Sequence, residues 1–149
     1  MATKEEETNR LKWKLKLYGS YTTEMEQKEH RYFEIEQELA MNDDIRKAAN
    51  NMGCFGDGPY HPPEAELKIE YTSLKQEIEE LKEERSYLGL DDFLQSLPPI
   101  DFKIIMSVYC ERMTHQETAL DSNMSRRTVQ RKLNEIYESW RSSPHGLGV

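Results

Sequence analysis

Cysteine is almost absent from this chain. Cys54 and Cys110 are the only two in 149 residues. One lies in a Gly-rich stretch and the other inside a helical pattern, so neither a disulfide framework nor a zinc-ligand pair is encoded. Long apolar runs are missing as well. No stretch approaches the roughly 20 residues of a membrane span, and no signal peptide opens the chain. Strands find no support. Residues 10–17 alternate cation with hydrophobe, but nothing elsewhere offers a pairing strand, so they read as a short helix that packs Trp13 and Leu17 and ends at Gly19-Ser20; the alternative is that its Lys residues touch nucleic acid or an acidic partner. Catalytic constellations are lacking too: no carboxylate pair, no Ser/Cys–His set and no ligand cluster stands at a meaningful spacing. Gly53, Gly56 and Gly58 are neither preceded by a strand nor followed by Lys-Ser/Thr, which excludes a phosphate-cradling loop. His61 beside Cys54 is a loop histidine. The expectation is a non-enzymatic protein with no catalytic residue, no metal and no cofactor.

Positive charge is the last shortage. The chain carries -8 overall, which at first argues against nucleic acid. Its distribution answers that objection: residues 97–149 hold seven Lys/Arg against six Asp/Glu, and the rest holds 13 against 22. The acid load therefore belongs to the amino-terminal part. So weakly basic a module implies modest affinity per copy, with further copies or protein partners helping.

What is present is helical periodicity, with 36% hydrophobic and 32% charged residues favouring a small core and long solvated helices. Over residues 21–49, Met25, Tyr32 and Leu39 recur every seven, with Tyr21, Lys28 and Ile35, also seven apart, at the intervening seam positions. Residues 50–63 hold three Gly and three Pro and break any helix. Leu67, Leu74, Leu81 and Leu88 then recur by seven, with Tyr71 and Ile78 between them. These two stretches are each about 40 Å long at about 1.5 Å per residue and can fold back as an antiparallel hairpin. A seam that narrow does little alone, so Leu67, Tyr71, Leu74, Ile78, Leu81 and Leu88 are expected to form an oligomerisation face.

The carboxyl-terminal stretch carries the chemistry. Residues 114–136 read as a short helix, a turn at Ser122-Asn123-Met124 and a second helix opening at Ser125, a good N-cap. Ala119 is small where two helices cross, Asn123 tolerates the left-handed turn, and Met124 plugs the core. In the second helix Val129, Leu133, Ile136 and Trp140 make one apolar face. Arg127, Gln130, Arg131 and Asn134 form another, flanked by Arg126 and Lys132, with no acidic residue between Asp121 and Glu135. Arg can fork onto guanine, Gln or Asn onto adenine, and the outer cations onto phosphates, so this helix suits a major groove. Ile104, Ile105, Val108 and Tyr109 face inward from the helix before it.

The predicted architecture is all-α. It comprises an amino-terminal segment over 1–20, a helical hairpin or coiled-coil arm over 21–90 with its loop at 50–63, a hinge over 91–96, a helix-turn-helix domain over 97–141 and a tail over 142–149.

Leu97-Pro98-Pro99, Ile104-Ile105, Tyr109, Thr114-x-x-Glu117-x-Ala119 and Ser125-x-x-Thr128-Val129 together resemble the region-four helix-turn-helix of bacterial sigma factors, over about the last third of the chain. Arg112 stands where that family often has Gly and Thr118 where it has Ile, and no core-binding region of a sigma factor precedes the module. The whole arrangement resembles the RinA/ArpU class of phage late transcription regulators. The resemblance implies that Ser125, Arg126, Arg127, Thr128, Gln130 and Arg131 open a recognition helix and touch groove and phosphates. Lys132 and Asn134 join them from their places beside and on the stripe, Thr114 would cap the preceding helix, and Gln116 could approach the backbone. The expected function is a sequence-specific regulator, an activator of phage late genes. It would bind double-stranded DNA as a homo-oligomer (dimer or tetramer) on the nucleoid in the bacterial cytoplasm, with host RNA polymerase as a further partner and no membrane. Two rivals stay open: a small terminase-like DNA-packaging subunit, and a helical interaction module whose basic helix meets an acidic protein.

Overall fold

The computed structural model describes residues 3–51 and 64–143, and their regular structure is all helical, as expected. Six helices follow one another: α1 Lys4–Asn51, α2 Glu64–Ser86, α3 Asp91–Ser96, α4 Pro99–Tyr109, α5 His115–Asp121 and α6 Arg126–Ser142. Their starts follow helix-end chemistry. Thr3 and Glu6 cap α1 reciprocally, with Glu6 N donating to Thr3 Oγ1 at 3.1 Å. Pro99 opens α4, where its missing N–H costs nothing. Glu64 and Glu66 sit in the first turn of α2 and Arg85 in its last, each on the side the helix dipole favours. Among the described residues no helix is long and apolar enough to cross a membrane. Cys54, His61 and most of the expected 50–63 breaker lie outside the described residues, as does most of the 142–149 tail.

The chain divides into two compact units, Met1–Glu24 with Lys82–Val149, and Met25–Leu81. In the second, α1 and α2 run antiparallel: Lys28 pairs with Glu77, Tyr32 with Tyr71, and Arg46 with Glu64, one number rising as the other falls. Ile35, Leu67 and Leu74 form its buried centre, flanked by Tyr32, Leu39 and Tyr71. The Tyr32 and Tyr71 rings stack at 4.2 Å and their hydroxyls meet at 2.6 Å. Arg31 grips Glu70 with two parallel bonds of 2.8 and 3.1 Å. That fork holds the Glu70 carboxyl below its ordinary range.

This hairpin changes the expected role of the leucine face. Leu67, Leu74, Ile78 and Leu81 are all buried within the chain, and Tyr71 is half-buried against Tyr32. Lys28, the charged residue among these seam positions, is answered by Glu77 at 2.8 Å. Leu88 is on a different core altogether. Because the apolar surface of these residues is already covered from within the chain, it is not free for another subunit.

The other unit corrects three further expectations. First, α1 runs through Gly19-Ser20 without ending. A Cβ on Gly19 would lie 1.9 Å from the carbonyl oxygen of Tyr109, so this glycine permits close approach of two backbones rather than a helix stop. Second, Leu11 and Leu15, with Tyr18 beside them, are the residues that pack inward from α1, whereas Trp13 is 60% exposed and Leu17 half-buried. Third, residues 91–96 are not a hinge. They form α3, and Phe93 and Leu94 enter the core together with Leu90. The amino-terminal turns of α1 therefore share one core with α3, α4, α5 and α6.

Candidate nucleic-acid interface

The helix-turn-helix is assembled from local signals that all agree. Thr114 Oγ1 accepts from Glu117 N at 3.1 Å, and Glu117 reaches back to the Thr114 amide, a complete capping box for α5. At the far end Asn123 takes the left-handed conformation, φ 55°. Met124 N then donates to Ala119 O at 3.0 Å and Asn123 N to Leu120 O at 3.4 Å, the two bonds of a Schellman turn. Met124 packs onto the hydrophobic core, as residues after such turns commonly do. Ser125 Oγ accepts from Thr128 N at 3.1 Å and starts α6.

Behind the turn, Val129, Leu133, Ile136, Tyr137 and Trp140 of α6 are buried against Ile104 and Ile105 of α4 and Ala119 of α5. Trp140 meets Phe93 edge-on at 5.1 Å. Two ion pairs strap α4 to its neighbours: Lys103 to Asp121 and Lys132 to Asp101, each at 3.5 Å. Tyr137 was not singled out from the sequence, although it stands one residue past Ile136 on the edge of the apolar face. Its hydroxyl meets that of Tyr109 at 2.5 Å. Burial pushes both phenols above their ordinary value, and for Tyr137 the bond to Tyr109 raises it further.

The expected DNA-contacting residues divide into two groups. Arg126, Arg127, Gln130, Arg131, Asn134 and Gln116 are exposed. Among the described residues Arg131 has a loose intrahelical partner, Glu135 at 3.9 Å between two exposed side chains, which leaves the guanidinium largely uncommitted. No carboxylate occupies the first turn of α6, so its positive dipole end faces outward unneutralised. The second group has structural work. Lys132 is tied to Asp101 with its side chain 26% exposed, so it straps α6 to α4 rather than flanking the stripe. Ser125 Oγ is engaged by the Thr128 amide and by the Thr128 hydroxyl at 2.8 Å, which makes these two a cap first.

Two departures from the sigma pattern acquire reasons. Arg112 has φ 55°, the conformation for which glycine is the natural choice. Thr118 is fully buried where an apolar residue is usual, and its hydroxyl is satisfied by donating to Thr114 O at 2.9 Å.

Gln130 and Asn134 also line a groove of about 880 Å³ whose walls include Lys12 and Lys16 of α1, Arg112 and His115. From the sequence, contact of the 10–17 lysines with nucleic acid or an acidic partner is the lesser reading beside a packing role, and it is the fold that brings Lys12 and Lys16 to this face. The only signal was the Lys residues of the 10–17 stretch, which periodicity could not orient.

With this geometry in place, the chain can be set beside known families. Residues 87–137 match the family model "Sigma-70, region 4". The match begins before α3 and ends within α6, so it covers the helix-turn-helix and neither α1 nor α2. Comparison with curated proteins and with solved structures returned no match. The carboxyl-terminal module is thus a sigma-70 region-four-like helix-turn-helix, which points to DNA binding.

Proposed function

We propose that this protein is a sequence-specific DNA-binding transcription regulator whose α6 enters the major groove. One observation carries the reading: Arg127, Gln130, Arg131 and Asn134 project from one exposed face of a helix that a Schellman turn and a serine cap aim outward. Its apolar back is fully engaged with α4 and α5. Guanidinium and amide groups at that spacing fit base edges, and Arg126 and the α6 amino terminus suit phosphate. The match to sigma-70 region 4 supports the same placement.

By resemblance, the regulator is of the RinA/ArpU type, an activator of phage or prophage late genes that acts as an oligomer and contacts host RNA polymerase on the bacterial nucleoid. It is not an enzyme. The leucine seam of the hairpin is filled from within the chain, so an oligomer contact must use other surface. Phe33, Met41 and Ile69 in that unit are exposed and apolar.

Selection of bound duplexes from a random pool tests the reading. A recurrent motif is the expected result, and a pair of motifs at fixed spacing would report two recognition helices. A pool that stays random while the protein is folded would remove the proposal.

A further inference from the structure

The cations of the unit that joins Met1–Glu24 with Lys82–Val149 are not treated alike. Lys103 and Lys132 each have a carboxylate partner from a neighbouring helix. Lys12, Lys16 and Arg112 instead converge with His115, Gln130 and Asn134 on one groove, and among the described residues no carboxylate lines it. Positive groups gathered in a concavity without counter-charge reinforce one another's potential and attract an anion.

The placement of α1 explains the convergence. Leu11 and Leu15 anchor it in the core, which turns positions 12 and 16, one turn apart, toward the flank of α6. Lys12 Nζ stands 5.3 Å from the centre of the Tyr137 ring, and Arg141 donates to Thr8 one turn earlier. Gln130 and Asn134 are the edge of the exposed stripe that borders this helix. The groove is therefore continuous with the face that carries Arg127 and Arg131.

We propose that this groove takes the phosphate backbone of the duplex that α6 reads, with Lys12 and Lys16 supplying sequence-independent contacts. The proposal rests on the DNA-binding reading and extends it to residues outside the 87–137 match. Continuity with the stripe favours a single ligand for both surfaces. An acidic peptide would account for the lysines but not for the amide wall they share with α6.

The test is fluorescence anisotropy with a labelled mixed-sequence duplex, titrated at several salt concentrations, on the full chain. Each phosphate contact contributes about 0.9 to the slope of log affinity against log salt. Lys16→Gln, at an exposed position, should lower the slope by about 0.9, and Lys12→Gln with Lys16→Gln by about 1.8. The loss should be uniform across sequences, with the motif from duplex selection unchanged. Thermal melting checks that the double variant folds, and the single variant carries the test if it does not. Binding by the unsubstituted protein with slope and affinity unchanged in both variants overturns the inference and leaves the DNA reading standing. No binding by the unsubstituted protein overturns both. An oligo-glutamate probe that loses binding in the variants, with the DNA titration unaltered, gives the groove to an acidic partner and also overturns it.

Discussion

Gly19→Ala separates two ways of building this protein. In an ordinary helix interior the change adds about 0.5–1 kcal/mol, because alanine loses less backbone freedom on folding. Here the new methyl would lie 1.9 Å from the Tyr109 carbonyl oxygen, 2.7 Å from its carbon and 3.3 Å from the Cys110 Cα. Carbon and oxygen in weak C–H contact normally stay about 3.3–3.6 Å apart, so the helices must part by more than an ångström. The obstacle is backbone and cannot rotate away. Retreat of α1 would loosen Leu15 and Tyr18 in the core and stretch the Thr23 Oγ1 bond to Cys110 O, already 3.3 Å. Overpacking costs about 1–3 kcal/mol, occasionally more. With the obstacle this close, the upper part of that range applies, and after the propensity gain the net loss is about 2 kcal/mol. For a cooperative unit of 60–100 residues each kcal/mol moves the melting midpoint by about 4–8 °C, which predicts a drop of about 8–16 °C. Melting curves by circular dichroism on the full chain measure it. Ser20→Ala, at the exposed neighbour, is the control and should melt no lower. A Gly19→Ala midpoint at or above that of the unsubstituted protein would refute the docking of α1 on the end of α4.

Other outcomes follow from the same contacts. Arg127→Ala and Arg131→Ala should each weaken specific DNA binding by about 1–3 kcal/mol and relax base preference at one position, read by repeating the duplex selection. Leu74→Ala should destabilise the hairpin by about 2–5 kcal/mol while leaving the sedimentation profile unchanged, because its side chain is buried within the chain. A fall in mass would restore the leucine face to an interface. Tyr109 and Tyr137 are raised above the ordinary phenol value of about 10, so the folded state holds these protons more tightly than the unfolded one. Their contribution is complete below about pH 10 and is lost as pH rises toward the folded values. Tyr137→Phe should flatten that alkaline loss in pH-dependent melts. Arg112→Gly should raise stability by up to about 1 kcal/mol by relieving a left-handed residue.

Much of the interface was legible because its signals are local. Thr114 with Glu117, Asn123 and Ser125 act within three or four residues of themselves, so their spacing reports the helix starts and the turn directly. The 4-3-4 recurrence of Val129, Leu133, Ile136 and Trp140 likewise identifies the buried back of α6. Lys132 was harder: one residue before Leu133, it reads as a flanking cation until Asp101, 31 positions away, claims it.

Sequence alone therefore determined the helical class, the turn, and the outward stripe on α6, since capping and periodicity are properties of a single segment. Tertiary structure alone decided that the leucine seam closes within the chain, that residues 91–96 are core rather than hinge, and that α1 stands beside the recognition face. A glycine allows both a helix end and a close approach. Which one operates depends on what arrives from elsewhere in the chain, and for Gly19 it is the backbone of Tyr109.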